Sequence, residues 1–261
     1  MTREDLFALR CYAWGTSRSS WKLMYGHLRV YKFLPSRFAL EDIRERRLKV
    51  SRLEHVLFPC KKHQIFASGA GLTDPFEPLV LDSGGPRLRH IIREARVHLA
   101  ATYGLLSFCA GWQNPWMWVH YAAEHTGIVL GFDLRGIDAV QHMRYVSSRR
   151  RLTAFDGLEP GERLNELLLQ HLLFTRAAHW SYEDEIRRLV VLNRESKPAG
   201  EHHFIDFAGN LRLLQVIAGI NCRVPRAEIE SALDGHAEQV EIIKARASLQ
   251  AFRVTRDRRG L

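Results

Sequence analysis

Two glutamates near residue 184 are a chemically suggestive pair. One residue separates Glu183 from Glu185, and one residue separates Glu185 from Arg187. If the stretch is extended, alternate side chains point to one face, so two carboxylates and a guanidinium converge. Such a pair can hold one ionised and one proton-carrying group, which suits stabilising a positive sugar-like centre or moving a proton. The alternative interpretation is a salt-bridged surface strand.

A second candidate region is rich in aromatic and imidazole side chains. Three tryptophans, a tyrosine and two histidines fall within residues 112–125. On a helix, Trp116, His120 and Glu124 would share one face and Tyr121 would lie on a neighbouring face. A polar stripe beside an aromatic stripe suits the wall of a pocket. A core helix whose aromatic side chains only pack together is the alternative.

Metal chemistry is not expected from these histidines. His120 and His125 are five residues apart, and no His-Glu-x-x-His occurs. The pair His202-His203 has no acid or thiol at ligand spacing, so it is interpreted as surface histidine. The four cysteines are widely spaced without a Cys-x-x-Cys pair, which favours reduced thiols. We therefore predict no bound metal.

An acidic turn and a first strand supply further candidates. Pro75 restricts Asp74 to extended conformations, and Asp74 and Glu77 flank an apolar residue, so the turn could present two carboxylates to a substrate. A purely structural turn is the alternative. Tyr31-Lys32 lies on a stretch rich in strand-forming residues.

Composition and charge limit the class of protein. The 261 residues are 46% hydrophobic and 26% charged, which is typical of a globular domain. No apolar run reaches about 18 residues, and the first residues do not resemble a secretory signal, so we expect a cytoplasmic protein without a membrane partner. The net charge of +9 includes arginine clusters at 44–47, 149–151 and 256–259. These clusters favour polyanionic partners such as nucleic acid or nucleotides, although solvated basic surfaces are the commoner explanation.

Short strands mixed irregularly with helices predict an α+β fold: a single domain with a mixed, mostly antiparallel sheet and flanking helices. We expect residues 1–26 to be a poorly patterned extension, 27–256 to form the domain, and 257–261 to be a basic tail. The predicted strands cover 28–34, 49–53, 105–109, 128–132, 143–147, 187–192, 204–207, 213–217 and 249–255, and the predicted helices begin at Ser36, Pro86, Pro115, Gly161 and Pro225. The helix from Pro115 is expected to reach about His125, and the one from Pro225 to reach about Ala247 with a break near Gly235. Residues 55–71 are expected to form a loop or insertion.

Several of these stretches, in this order, resemble a bacterial family known as domain of unknown function "twenty-nine seventy-one". The resemblance covers about residues 28–222. The matching stretches are Tyr31-Lys32-Phe33, Ser51, Thr73 to Glu77, Met117 to Ala122 with His125 and Gly127, Gly131-Phe132-Asp133, and Trp180 to Arg187. The sequence departs from the family pattern at Thr73, Val119 and Arg176, the last of which stands where the family usually has lysine. The resemblance implies a group of proteins without implying a reaction.

A more distant similarity is to ADP-ribosyltransferases, which carry a basic or aromatic residue, a serine and a late Glu-x-Glu in this order. It implies that Arg29 or Tyr31 holds the dinucleotide and that Ser51 braces the pocket. Glu185 would bond the hydroxyl of the nicotinamide ribose, and Glu183 would serve the acceptor. Aromatic rings suit nicotinamide, and basic groups suit pyrophosphate.

NAD is therefore the expected substrate, with nucleic acid or protein as acceptor, and a toxin or phage-defence effector as the setting. Glu185 and Glu183 are the predicted catalytic residues, and Asp74 and Glu77 would contact the substrate. The predicted cofactor-binding set is Arg29, Tyr31, Lys32, Ser51, Trp118, His120, Tyr121, His125, Trp180 and Arg187. Two alternatives remain open: a nucleic-acid-binding or regulatory module that uses the arginines, and a hydrolase that uses the carboxylate pair on another substrate.

Overall fold

The computed structural model describes residues 27–53, 81–82, 86–135, 140–148, 150–151, 173–207, 209–235 and 239–258. The acidic turn with Asp74 and Glu77, the predicted extension 1–26, the loop 55–71 and most of the helix expected from Gly161 lie outside these ranges. Within the described residues, no helix has the length and apolar character needed to cross a bilayer.

The described elements are mostly strands, with helices between some of them. The strands are β1 (His27–Leu34), β2 (Arg47–Arg52), β3 (Leu81–Asp82), β4 (Tyr103–Cys109), β5 (Ile128–Arg135), β6 (Val140–His142), β7 (Arg144–Val146), β8 (Arg150–Arg151), β9 (Thr175–Ala177), β10 (Glu185–Val191), β11 (Lys197–Ala199), β12 (His202–Asp206), β13 (Leu211–Ala218), β14 (Glu241–Ala247) and β15 (Val254–Arg256). The helices are α1 (Ser36–Arg44), α2 (Pro86–Thr102), α3 (Pro115–Tyr121) and α4 (Arg226–Leu233), with a 3-10 helix at Ala178–Glu183.

Eleven of the strands form one large sheet, in the order β11-β12-β2-β4-β1-β5-β13-β14-β15, and β10 joins β4 to β6. Within this sheet the pairing of β13 with β14 is parallel, and the other described pairings are antiparallel. The predicted α+β class with a mixed, mostly antiparallel sheet and flanking helices is confirmed.

The sheet branches at β4. One edge of β4 pairs with β10 along its whole length, from Tyr103 to Cys109. The other edge pairs with β2 at Leu105 and with β1 at Cys109. The end of β4 therefore lies in the middle of the sheet, between the strand that carries Tyr31 and the strand that carries Glu185.

Alternation along the strands divides the core between the two faces. One face packs against α1 and α4 through residues such as Val30, Phe108 and Ile186. The other face packs against α3 through residues that include Phe33 and Trp118. Since neighbours in a strand point to opposite faces, the carboxylate of Glu185 lies on the α3 side.

Two helix predictions are wrong in extent. The helix predicted from Pro115 begins there, capped by the side chain of Asn114, but it ends at Tyr121 because residues 123–125 have left-handed backbone angles. The helix predicted over 225–247 is α4 followed by β14. The amphipathic pattern of 241–247 suits either state, and parallel pairing with β13 selects the strand.

Candidate functional site

The site is built on a row of residues that face each other across three neighbouring strands. Tyr31 of β1 lies opposite Cys109 of β4, and Cys109 lies opposite Glu185 of β10. Directly paired residues of an antiparallel ladder point to the same face, so this row lies beneath α3. The end of β10 thus places a carboxylate close to a helix with aromatic and imidazole side chains.

Arg176 joins the two predicted carboxylates. Its Nη1 donates to Oε2 of Glu183, and the same nitrogen lies 3.4 Å from Oε2 of Glu185. Arg176 and Glu183 are 4% and 3% exposed, and Glu185 is 5% exposed. The two carboxylates converge as the sequence predicts. They are buried, which the alternative of a surface strand does not allow.

Glu185 is held as an anion by several donors. Arg187 donates to it from Nε at 2.8 Å and from Nη2 at 3.1 Å, and its Nη1 donates to the carbonyl of Leu173 at 2.7 Å. Burial alone would raise the pKa of Glu185, but Arg187, Arg176 and a hydrogen bond from Ser107 hold it below its usual value. Glu185 is therefore ionised at neutral pH.

Glu183 has a different environment. Its Oε1 accepts a hydrogen bond of 2.5 Å from the hydroxyl of Tyr121, and its other oxygen pairs with Arg176. Burial raises the pKa of Glu183, because these two partners offset only part of the desolvation and the charge of Glu185 adds to it. The surroundings thus shift the two pKa values in opposite directions, the pattern of carboxylate pairs that divide acid–base work.

Hydrogen bonds to neighbouring segments fix the turn between the carboxylates. The side chain of Asn114 donates to the carbonyl of Tyr182 at 2.6 Å, and the amide of Ala110 donates to the carbonyl of Asp184 at 3.0 Å. Asp184 itself has a φ of 44°, in the left-handed region that non-glycine residues seldom adopt. The hydroxyl of Tyr145 accepts a bond of 2.9 Å from the amide of Glu185. Because Glu183 ends a 3-10 helix, only the part of the stretch from Glu185 onward is extended.

Four aromatic side chains form a row at the surface beside the carboxylates. The ring row, as we call it, runs Trp116, His120, Tyr182 and Trp180. Its successive ring centroids are 6.0, 6.2 and 6.0 Å apart. Trp116 is 61% exposed, His120 is exposed, and the other two rings are half-buried. At the inner end of the row, the guanidinium carbon of Arg176 lies 4.2 Å from the Trp180 ring centroid, a cation–π contact.

Tyr31 and Arg29 lie on the same face as the carboxylates, but their side chains point away from them along the sheet, toward β13 and β14. The hydroxyl of Tyr31 donates to Oε1 of Gln215 at 3.3 Å, and its ring passes over Gly131, where an added Cβ would lie 3.1 Å from the ring. Arg29 is exposed near Glu241, whose pKa is lowered first by a hydrogen bond from Gln215, then by Arg256 and by the charge of Arg29. The structure therefore does not join Arg29 to Glu185.

Lys32 and Ser51 are also separated from the carboxylates. The ammonium group of Lys32 donates to the carbonyl of Ser107 at 3.0 Å. Ser107 lies on the edge of β4 between Leu105, which pairs with β2, and Cys109, which pairs with β1. Ser51 pairs with Leu105, four residues before Cys109, which is about 13 Å along the strand. The three-part arrangement that the similarity to ADP-ribosyltransferases implies is not assembled around Glu185.

Trp118 belongs to the core, and the half-buried His125 stacks against it. Trp118 is fully buried, its Nε1 donates to the carbonyl of Trp112 at 2.6 Å, and its ring contacts Phe33 and His125. Burial lowers the pKa of His125. These two predicted cofactor-binding residues are placed where they support α3.

The described residues show no metal centre at the carboxylates. They contain no group of three or more metal-ligating side chains. A cavity of about 180 Å³ lies on the other face of the sheet, lined by Ile43, Phe207 and Leu233 among others. The sheet separates this cavity from the carboxylates.

Sequence reasoning missed two parts of the site. Arg176 connects both carboxylates, and no spacing or motif in the sequence predicts that role. Tyr145 reaches the site because β7 and β9 pair in parallel, with Tyr145 opposite Arg176. No local pattern announces that pairing.

Comparison with known proteins adds no relative. Neither a scan against protein-family models nor searches of curated proteins and solved structures finds a match to this chain.

Proposed function

We propose that this protein is an ADP-ribosyltransferase-like enzyme that cleaves the nicotinamide–ribose bond of NAD at Glu183 and Glu185. The observation that carries the proposal is the path from solvent to charge: exposed rings lead to Trp180, Trp180 contacts Arg176, and Arg176 bonds both carboxylates. Aromatic faces bind planar bases, and a buried anion stabilises a positive sugar.

Each carboxylate has a role that follows from its surroundings. Glu185, held ionised by Arg187, stabilises the positive charge that develops on C1′ of the ribose as the C–N bond breaks. Nicotinamide leaves as a neutral molecule with the bonding electron pair. The oxygen of the acceptor hydroxyl then bonds to C1′, and its proton passes to Glu183, whose raised pKa makes it a stronger base than an ordinary carboxylate.

Access to the carboxylates requires movement of the ring row. Glu183 and Glu185 are almost fully buried, and in the proposal Tyr182, which directly precedes Glu183, turns outward to admit the ribose. Tyr182 is half-buried, and Asp184, two residues further along, has a left-handed backbone. Strained backbone of this kind is found at functional sites. In the proposal, NAD takes the place of the Tyr182 ring and makes contacts with the residues that Tyr182 contacted.

The proposed setting is the cytoplasm, as a toxin or phage-defence effector that consumes NAD. Two described cysteines, Cys109 and Cys222, are buried free thiols, in keeping with a reducing compartment. Water in place of an acceptor hydroxyl would make the same site a hydrolase that releases ADP-ribose.

Incubation with NAD tests the proposal, with nicotinamide release followed by chromatography. Glu183→Gln and Glu185→Gln should each lower the rate by about 100-fold or more. Glu228→Gln is the matched control, because Glu228 is exposed on α4 at the other face. Melting temperatures of all variants separate loss of chemistry from loss of folding.

Variants of the ring row give a second measurement. Trp180→Ala should raise KM for NAD more than it lowers kcat, because the ring binds the base and takes no part in bond cleavage. Wild-type protein that neither binds NAD nor releases nicotinamide would contradict the proposal. Salt-sensitive nucleic-acid binding without turnover would favour the nucleic-acid-binding or regulatory module.

A further inference from the structure

The turn between β14 and β15 exposes two large apolar side chains. We call residues 248–253 the hairpin tip. Leu249 is 94% exposed and Phe252 is 105% exposed. Neither side chain covers the core. Their full exposure to water is unfavourable, and they contribute nothing to folding stability. Two of them on one turn indicate a surface that another molecule covers.

The hairpin tip is an ordered structure. The amide of Ser248 donates to the carbonyl of Arg253 at 3.0 Å, and the amide of Gln250 donates to the hydroxyl of Ser248 at 3.2 Å. Ala247 pairs with Val254 at its base. Because Val254 is buried and anchored, Leu249 and Phe252 are held outward on a fixed support.

The charge around the hairpin tip is positive. From residue 242 to 256 the sequence contains four basic residues and no acidic residue. Arg253 is exposed beside Phe252, Arg258 is exposed beyond β15, and Arg246 is half-buried at the base of the hairpin. The partner that fits therefore combines negative charge with apolar or aromatic surface.

The hairpin tip lies near the exposed end of the ring row. The amide of Val254 donates to the carbonyl of Gln113 at 2.8 Å. Phe252 is two residues from Val254, and Trp116 is three residues from Gln113, so their Cα atoms are at most about 22 Å apart. The base of the hairpin is thus joined directly to the segment that leads into Trp116.

We propose that the hairpin tip binds single-stranded nucleic acid. Bases of an unpaired strand stack on aromatic side chains, and its phosphates pair with arginines. The high net charge of the whole chain, +9, attracts the same partner. Phe252 would receive a base, Leu249 would pack beside it, and Arg253 would pair with the phosphate. Binding at the hairpin tip does not require any reaction at Glu183.

Fluorescence anisotropy with a labelled oligothymidylate of about 20 nucleotides tests the proposal. Phe252→Ala should weaken binding roughly 5- to 100-fold, the range of base–aromatic stacking. Val97→Ala is the matched control, since Val97 is 54% exposed on α2. Arg253→Gln should weaken binding and reduce its salt dependence between about 50 and 200 mM. Arg226→Gln, an exposed arginine on α4, should leave both unchanged.

The inference would be overturned if the oligonucleotide does not bind at the lower salt concentration, or if the Phe252 and Val97 variants bind it equally well. It would also be overturned if a duplex binds more tightly than the single strand and Phe252→Ala does not weaken that binding. Binding to vesicles of phosphatidylserine and phosphatidylcholine that is lost in Phe252→Ala, without oligonucleotide binding, would assign the hairpin tip to a membrane surface instead. Glu183→Gln should bind the oligonucleotide as wild type does, so failure of NAD turnover and failure of nucleic-acid binding are measured separately.

Discussion

Replacing Arg187 by methionine removes the main support of the Glu185 carboxylate. The guanidinium is 3% exposed and makes two hydrogen bonds to Glu185 and one to the carbonyl of Leu173. After the change, Glu185 keeps Arg176 at 3.4 Å but loses its closest counter-charge. Breaking a buried ion pair in this way costs about 3–5 kcal/mol. Since a domain has about 5–15 kcal/mol of stability in total, the variant should unfold at a much lower urea concentration.

A second variant separates the ion pair from the space that it fills. Arg187→Met with Glu185→Leu removes both charges and leaves apolar side chains in the same volume. Replacing a buried pair by apolar residues is often neutral or stabilising. The carbonyl of Leu173 still loses a donor, which costs about 1–3 kcal/mol. We expect the double variant to be within about 2 kcal/mol of wild type.

The assay is urea unfolding followed by circular dichroism, and Arg226→Met is the control. Arg226 forms an exposed pair with Glu230 one helical turn away, and such pairs contribute about 0.3–0.5 kcal/mol. If Arg187→Met changes stability no more than the control does, the buried pair described here does not exist. If the double variant is as unstable as the single one, packing of the arginine chain, and not its charge, supports this region.

Three further perturbations test separate parts of the molecule. Burial raises the pKa of Asp42 from 3.8 to about 7, so the folded protein holds this proton more tightly than the unfolded chain. Wild-type stability should then fall as pH rises from about 4 to about 7, and less so in Asp42→Asn, as urea midpoints measured across that range will show. Asn114→Ala loses the cap of α3 and the bond to Tyr182 and should cost about 1–2 kcal/mol. Asn114→Asp, which keeps the cap acceptor, should lose less; equal losses in the two variants would assign the effect to Tyr182. Gly127→Ala places a Cβ 2.3 Å from the carbonyl oxygen of Leu34, so thermal denaturation should show a loss of about 3 kcal/mol, whereas Gly209→Ala, with open space around it, should lose about 1 kcal/mol.

Local signals in the sequence predict much of the fold. The strand of β1, the Asn114-Pro115 start of α3 and the start of α2 at Pro86 are all where the sequence places them. Each depends on a period, a cap or a proline that acts within a few residues. Where α3 ends depends on packing against backbone that is distant in the chain. The backbone at His125 lies so close to Gly219 that a Cβ added to Gly219 would be 2.2 Å from the carbonyl oxygen of His125. That contact cannot be read from residues 115–125.

The sequence predicts the two glutamates of the candidate site and Arg187, but it does not predict Arg176. Spacing alone brings Glu183, Glu185 and Arg187 into one list. Arg176 enters only through the pairing of β9 with β7, which depends on tertiary structure. The tryptophans show the same limit. Trp116 is exposed and Trp118 is fully buried, yet the sequence offers only their alternation on a short helix to tell them apart.

Stability alone does not require the buried charges. Replacing a buried ion pair by apolar residues is often neutral or stabilising, and shifted pKa values are frequent both at functional sites and in structural ion-pair networks. The Arg187→Met, Glu185→Leu double variant decides between the two explanations. A protein that keeps its unfolding midpoint but no longer releases nicotinamide from NAD shows that the charges serve chemistry. If the variant folds and keeps wild-type turnover, the reaction takes place elsewhere. The charged network is then a structural element that positions the 3-10 helix, which carries Trp180 and Tyr182 of the ring row.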